Sequence, residues 1–61
     1  MIEIKIVTHD YNYISIRVEG SIEKWNKQIT AQLISDSKWL FLGNHIVDPG
    51  SIKTIELVEV L

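Results

Sequence analysis

Few residues in this chain could do chemistry: two histidines, eight carboxylates, six cations and no cysteine. His9 stands beside Asp10, and His45 precedes Asp48 by three positions. Neither pair has the spacing that presents two metal ligands on one helix face, and two histidines without thiolates make a thin site. A metal site of both histidines and one carboxylate would need the two turns that carry them to meet in space, which nothing in the spacing enforces. General acid and base catalysis needs a pocket that shifts pKa values, and a 61-residue chain rarely encloses one. Glu3, Glu19, Glu56 and Glu59 fall at strand positions expected to face water. The serines have turn, cap or surface positions, none in a nucleophile elbow. Gly20, Gly43 and Gly50 are isolated turn glycines and make no phosphate-binding loop. The expectation is a non-enzymatic chain with no metal, no cofactor and no small-molecule substrate.

Binding remains. Lys5, Tyr11, Tyr13 and Arg17 could share one face of a first hairpin, where aromatics among basic residues can stack single-stranded bases. Glu3 and Glu19 lie on or beside that face, and solvated cross-strand charge pairing accounts for the same residues. The net charge of -2 argues mildly against phosphate-driven binding. Nucleic-acid binding is therefore the alternative reading.

The elements that must position these residues follow from periodicity. Ile2, Ile4 and Ile6 alternate with Glu3 and Lys5, and Ile14, Ile16 and Val18 alternate with Ser15 and Arg17. Both are half-buried strands, joined across the turn formers Asp10 and Asn12 into an antiparallel hairpin. Gly20 stops the second strand, and Ser21 caps a helix with Glu23 in its first turn. The helix runs to about Ile34, with Ile22, Trp25, Ile29 and Leu33 on one apolar stripe. Trp39 to Leu42 reads as a third strand, Gly43-Asn44 as a two-residue turn and His45 to Val47 as a short return. Asp48-Pro49-Gly50 turns the chain into a last strand, from about Ile52 or Lys53 to Val60. Its apolar residues fall on both faces, Ile55 and Leu57 on one, Val58 and Val60 on the other.

The fold class is α+β: one compact domain over residues 1–61, with a small antiparallel sheet of four to five strands in β-β-α-β-β-β order and one helix on one face. Such a helix is roughly 21 Å long and covers one sheet face, not two. Yet the third strand carries Trp39 and Phe41 on one face and Leu40 and Leu42 on the other. Either the sheet curls so that its own chain covers the second pair, or that pair is open to a partner. A chain this short buries only about 60% of its unfolded surface, and without cysteines it has no disulfides to reinforce it. Self-association is the reinforcement left. The expected contact residues are Trp39, Leu40, Phe41, Leu42, Val58 and Val60, meeting a protein partner or a second copy in a homodimer.

"MIEIKIVTHD" has Glu3 and Lys5 inside its apolar run, which does not suit a signal peptide, and no stretch approaches the roughly 18 residues of a membrane span. A cytoplasmic chain without membrane contact is expected. The run "FLGNHIVDPGSIKTIE" resembles the tail of LytTR-type DNA-binding domains over about a quarter of the chain. Any hairpin with an Asx turn before its last strand shares that pattern, and no membership is drawn from it. The plan also resembles, as fold-level analogy, small accessory proteins of phages and prophages, interaction modules or inhibitors that regulate a partner.

Overall fold

In a computed structural model that describes all 61 residues, the chain runs through β1 (Ile2–Thr8), β2 (Tyr13–Val18), α1 (Ile22–Ile34), β3 (Leu40–Leu42), β4 (His45–Val47), a 3-10 turn (Pro49–Ser51) and β5 (Ile52–Glu59). The α+β class, the element order and the helix packed on strands are those the sequence dictates. The five strands divide into two sheets. β1 is central in an antiparallel sheet ordered β2-β1-β5, while β3 and β4 pair only with each other. β1 spends both its edges on the longer strands β2 and β5, and the three-residue strands β3 and β4 pair with each other across the Gly43-Asn44 turn.

The register carries the alternation into the core. Ile4 lies between Ile16 and Leu57, and Ile6 between Ile14 and Ile55, so one face of the three-stranded sheet is aliphatic. Ile2, Ile4 and Ile6 are fully buried there. Trp25 and Ile29 of α1 and Leu40, Leu42 and Val47 of the β3–β4 hairpin close over them in one cluster. Helix and hairpin together make the second layer. Each fully buried aliphatic side chain contributes about 1.5–3 kcal/mol relative to exposure.

The turns are held locally. The Thr8 hydroxyl donates to the Asp10 carboxylate, the Asn12 amide donates to the same carboxylate at 2.9 Å, and the Asn12 backbone N–H donates to the Thr8 hydroxyl oxygen at 3.0 Å. This network pins Tyr11 at φ 66°, a conformation that costs a non-glycine residue energy. The Ser21 hydroxyl accepts from the Lys24 N–H at 3.1 Å, the N-cap expected from the sequence. Asp48 accepts from the Gly50 N–H at 2.9 Å, fixing the turn into β5. No helix is long and apolar enough to cross a membrane.

Candidate protein-binding face

The β3–β4 hairpin answers which pair of the third strand goes inside. Leu40 and Leu42 are fully buried against the core, whereas Trp39 is 46% and Phe41 54% exposed. Opposite Phe41 stands Ile46, 62% exposed. Three large apolar side chains therefore share the outer side of one hairpin. α1 does not cover them, because it lies beside β3 in the same layer, where Gln32 bonds its edge.

The hairpin is held from two directions. At its tip, Gly43 takes φ 64°, the left-handed conformation that a two-residue turn demands at its first position. A Cβ there would also approach Val18 Cγ1 to 3.3 Å, so glycine serves both the turn and its docking on β2. At its outer edge, Gln32 of α1 bonds β3 twice: the Phe41 N–H donates to Gln32 Oε1 at 2.7 Å, and Gln32 Nε2 donates to the Phe41 carbonyl at 3.0 Å. The geometry explains the pairing. Leu42 and His45 flank the turn as the hydrogen-bonded pair, so the alternation of an antiparallel ladder points the backbone groups of Phe41 away from β4. The Gln32 amide meets them as a neighbouring strand would. It closes that edge and holds the Phe41 side chain outward.

The six expected contact residues occupy three places. Leu40 and Leu42 belong to the core; Trp39 and Phe41 stand on the outer side of the hairpin. Val58 lies opposite Glu3, on the face of the three-stranded sheet turned away from the core, and Val60 donates its N–H to the Met1 carbonyl at the end of that sheet. Trp39 and Phe41 thus look out from one side of the molecule and Val58 from the other. Ile46 belongs with the exposed aromatics, though its isolated position in a three-residue strand gave no sign of it. The signal that could have found it is the two-residue turn, which sets Ile46 directly across from Phe41.

The alternative residues are placed as follows. Lys5, Tyr13 and Arg17 do share the outer face of the three-stranded sheet. Glu3 lies beside Arg17 and accepts from the Ser15 hydroxyl, while Lys5 lies between Ser15 and Glu56. Cations and anions alternate there, so no basic stripe forms. Tyr11 sits apart in the β1–β2 turn, with Lys53 Nζ 4.8 Å from its ring centroid.

No three histidine or carboxylate side chains come close enough together to hold a metal ion. Asp10 and Asp48 are engaged in their own turns. The Thr8 hydroxyl, helped by backbone N–H groups and the Asn12 amide, holds the Asp10 carboxyl below the usual aspartate value. One cleft of about 250 Å³ opens between β2 and the hairpin tip, where Arg17, Glu19, Trp25, Asn44 and His45 meet. Trp25 lines it with its indole N–H donating to the Glu19 carbonyl at 2.8 Å. Comparison with models of protein families, with curated proteins and with solved structures finds no match.

Proposed function

We propose that the chain is a non-enzymatic, cytoplasmic protein-interaction module whose contact surface is the outer side of the β3–β4 hairpin. The observation that carries the reading is the joint exposure of Trp39, Phe41 and Ile46 on a hairpin that Gln32 and Gly43 hold in place. Burying such residues in a partner gains free energy at small entropic cost, because the backbone beneath them is already ordered. Exposed aromatic side chains with the Lys38 ammonium 6.0 Å from the Trp39 ring centroid suit a hot spot with polar groups at its margin. The small size and the lack of an assignable catalytic constellation suit an accessory protein that regulates a partner by occupying it.

The test is capture of partners by the wild-type chain and by a Phe41→Ser, Ile46→Ser variant, followed by titration of the purified partner. The reading expects one partner bound by the wild type and weakened by at least about 100-fold in the variant, in line with the loss of a hot-spot pair. Equal affinity for both chains contradicts it. Nucleic-acid binding draws support only from Lys5, Tyr13 and Arg17 lying on one face. That reading expects affinity for a single-stranded oligonucleotide to fall steeply with salt, and no measurable affinity at low salt removes it.

A further inference from the structure

A second surface, independent of the hairpin face, lies along the flank formed by β5 and α1. In the ladder between β1 and β5, the Val60 N–H donates to the Met1 carbonyl. Antiparallel alternation then commits the backbone groups of Val58, Glu56 and Thr54 to β1. Those of Ile55, Leu57 and Glu59 point to the opposite edge, where the sheet has no further strand. The side chains of Ile55 and Leu57 face the core yet are only partly buried. The helix beside them is unfinished on the same side. At about 100° per residue, Ile22 and Leu33 lie roughly 20° and 40° from Ile29 in the direction away from Gln32, which bonds β3. They are 39% and 50% exposed, although the sequence places them in the core stripe. β2, the other edge strand, differs: Tyr13, Ser15 and Arg17 carry its outward backbone groups, and Ile16 and Val18 are already buried.

We infer that this flank is a homodimer interface, in which β5 pairs antiparallel with β5 of a second copy about a two-fold axis perpendicular to the sheet. The occupant is a second copy because one register of the strand is complementary to itself. Setting Ile55 opposite Leu57 of the other copy brings the outward N–H and C=O groups into line and sets Lys53 of each chain opposite Glu59 of the other. Sliding one pair either way sets Lys53 against Leu57, or Glu59 against Ile55. Lys53 is the extra residue at the irregularity facing Val7 and Thr8; in the single chain its ammonium lies 4.8 Å from the Tyr11 ring centroid, and in the dimer its flexible stem swings from there to Glu59 of the other copy. Both helices lie on the same face, so Ile22 of one copy approaches Leu33 of the other above the new ladder. Glu56 meets its own copy on the outer face, where Lys5 of each chain stands opposite it and offsets the repulsion. The dimer carries two hairpin faces, one per chain, away from the shared axis.

Sedimentation velocity over a concentration series tests the inference, with circular dichroism confirming that every variant folds. Wild type is expected as a dimer at about 50 μM, the range of a modest interface. Lys53→Glu and Glu59→Lys are each expected to weaken the dimer by at least about tenfold, and the double swap to restore it within about threefold. Phe41→Ser is expected to leave the dimer unchanged, which separates this surface from the hairpin face. A monomer up to about 1 mM overturns the inference, as do single swaps without effect, a double swap that fails to restore association, or loss of the dimer in Phe41→Ser.

Discussion

Replacing Gln32 with alanine removes two hydrogen bonds and almost nothing else. The Gln32 amide bonds the Phe41 N–H at 2.7 Å and the Phe41 carbonyl at 3.0 Å, both at an exposed edge of the molecule. A typical intramolecular hydrogen bond contributes about 0.5–1.5 kcal/mol net, and water can replace the lost partners at an exposed site. The lower end applies to each bond, so the pair contributes about 1 kcal/mol. In a domain of this size that corresponds to a fall in Tm of about 4–8 °C. The more specific readout is hydrogen exchange at the Phe41 amide. Its N–H points away from β4, so Gln32 is its protector, and Gln32→Ala is expected to speed its exchange far more than that of Leu40 or Leu42, whose amides point to β4 in the ladder. Gln32→Glu keeps an acceptor for the N–H but sets a second carboxylate oxygen against the Phe41 carbonyl, so it is expected to destabilise at least as much as alanine. Unchanged exchange at Phe41 in Gln32→Ala would refute the claim that the helix amide holds this strand in place.

Leu42→Ala opens a cavity at a fully buried position and is expected to cost about 2–5 kcal/mol, whereas Phe41→Ser on the exposed side is expected to cost under about 1 kcal/mol; paired urea titrations distinguish the two. Gly43→Ala combines φ 64° with the 3.3 Å approach to Val18 and is expected to cost about 1–2 kcal/mol, read as a lower midpoint in the same titration. Because the folded-state pKa of Asp10 is depressed, its contribution is present above the unfolded value of 3.8 and is lost as pH falls from there through the lower folded value. Asp10→Asn is expected to flatten that acid limb in a plot of Tm against pH, and a limb identical to wild type contradicts the Thr8–Asp10 bond.

Local features of the fold were legible and non-local ones were not. The alternation of Ile2 to Ile6 and of Ile14 to Val18 gives β1 and β2, and the hairpin forms across the Asp10 and Asn12 turn as their side chains require. Ser21 fixes the start of α1, and Gly43 fixes the tip of the second hairpin. Pairing of β5 with β1 joins residues some fifty positions apart, and no periodicity in either strand specifies it. That pairing decides everything the sequence left open. With β1 central and both its edges taken, β3 and β4 pair as a separate sheet, and the helix shares the core face with them. Leu33 and Ile22 then fall at the margin of the stripe instead of within it. The third strand, apolar on both faces, could be placed either way round by its composition alone. Leu40 and Leu42 go inward because the turn at Gly43 docks on Val18, and that contact is tertiary. Gln32 shows the same limit from the other side. It stands three residues beyond Ile29, next to the apolar stripe, and its type suits a solvated face; only the edge of β3 beside it turns the amide into a structural bond.

Trp39 and Phe41 stand outward while the core closes without them, and acrylamide quenching of Trp39 fluorescence measures that arrangement most directly. In a Trp25→Phe background, which leaves Trp39 as the single indole, quenching is expected to approach that of a solvent-exposed tryptophan, in keeping with its 46% exposure. In the reciprocal Trp39→Phe background, Trp25 is expected to resist the quencher. Equal protection of the two indoles in the isolated protein would contradict the open hairpin face.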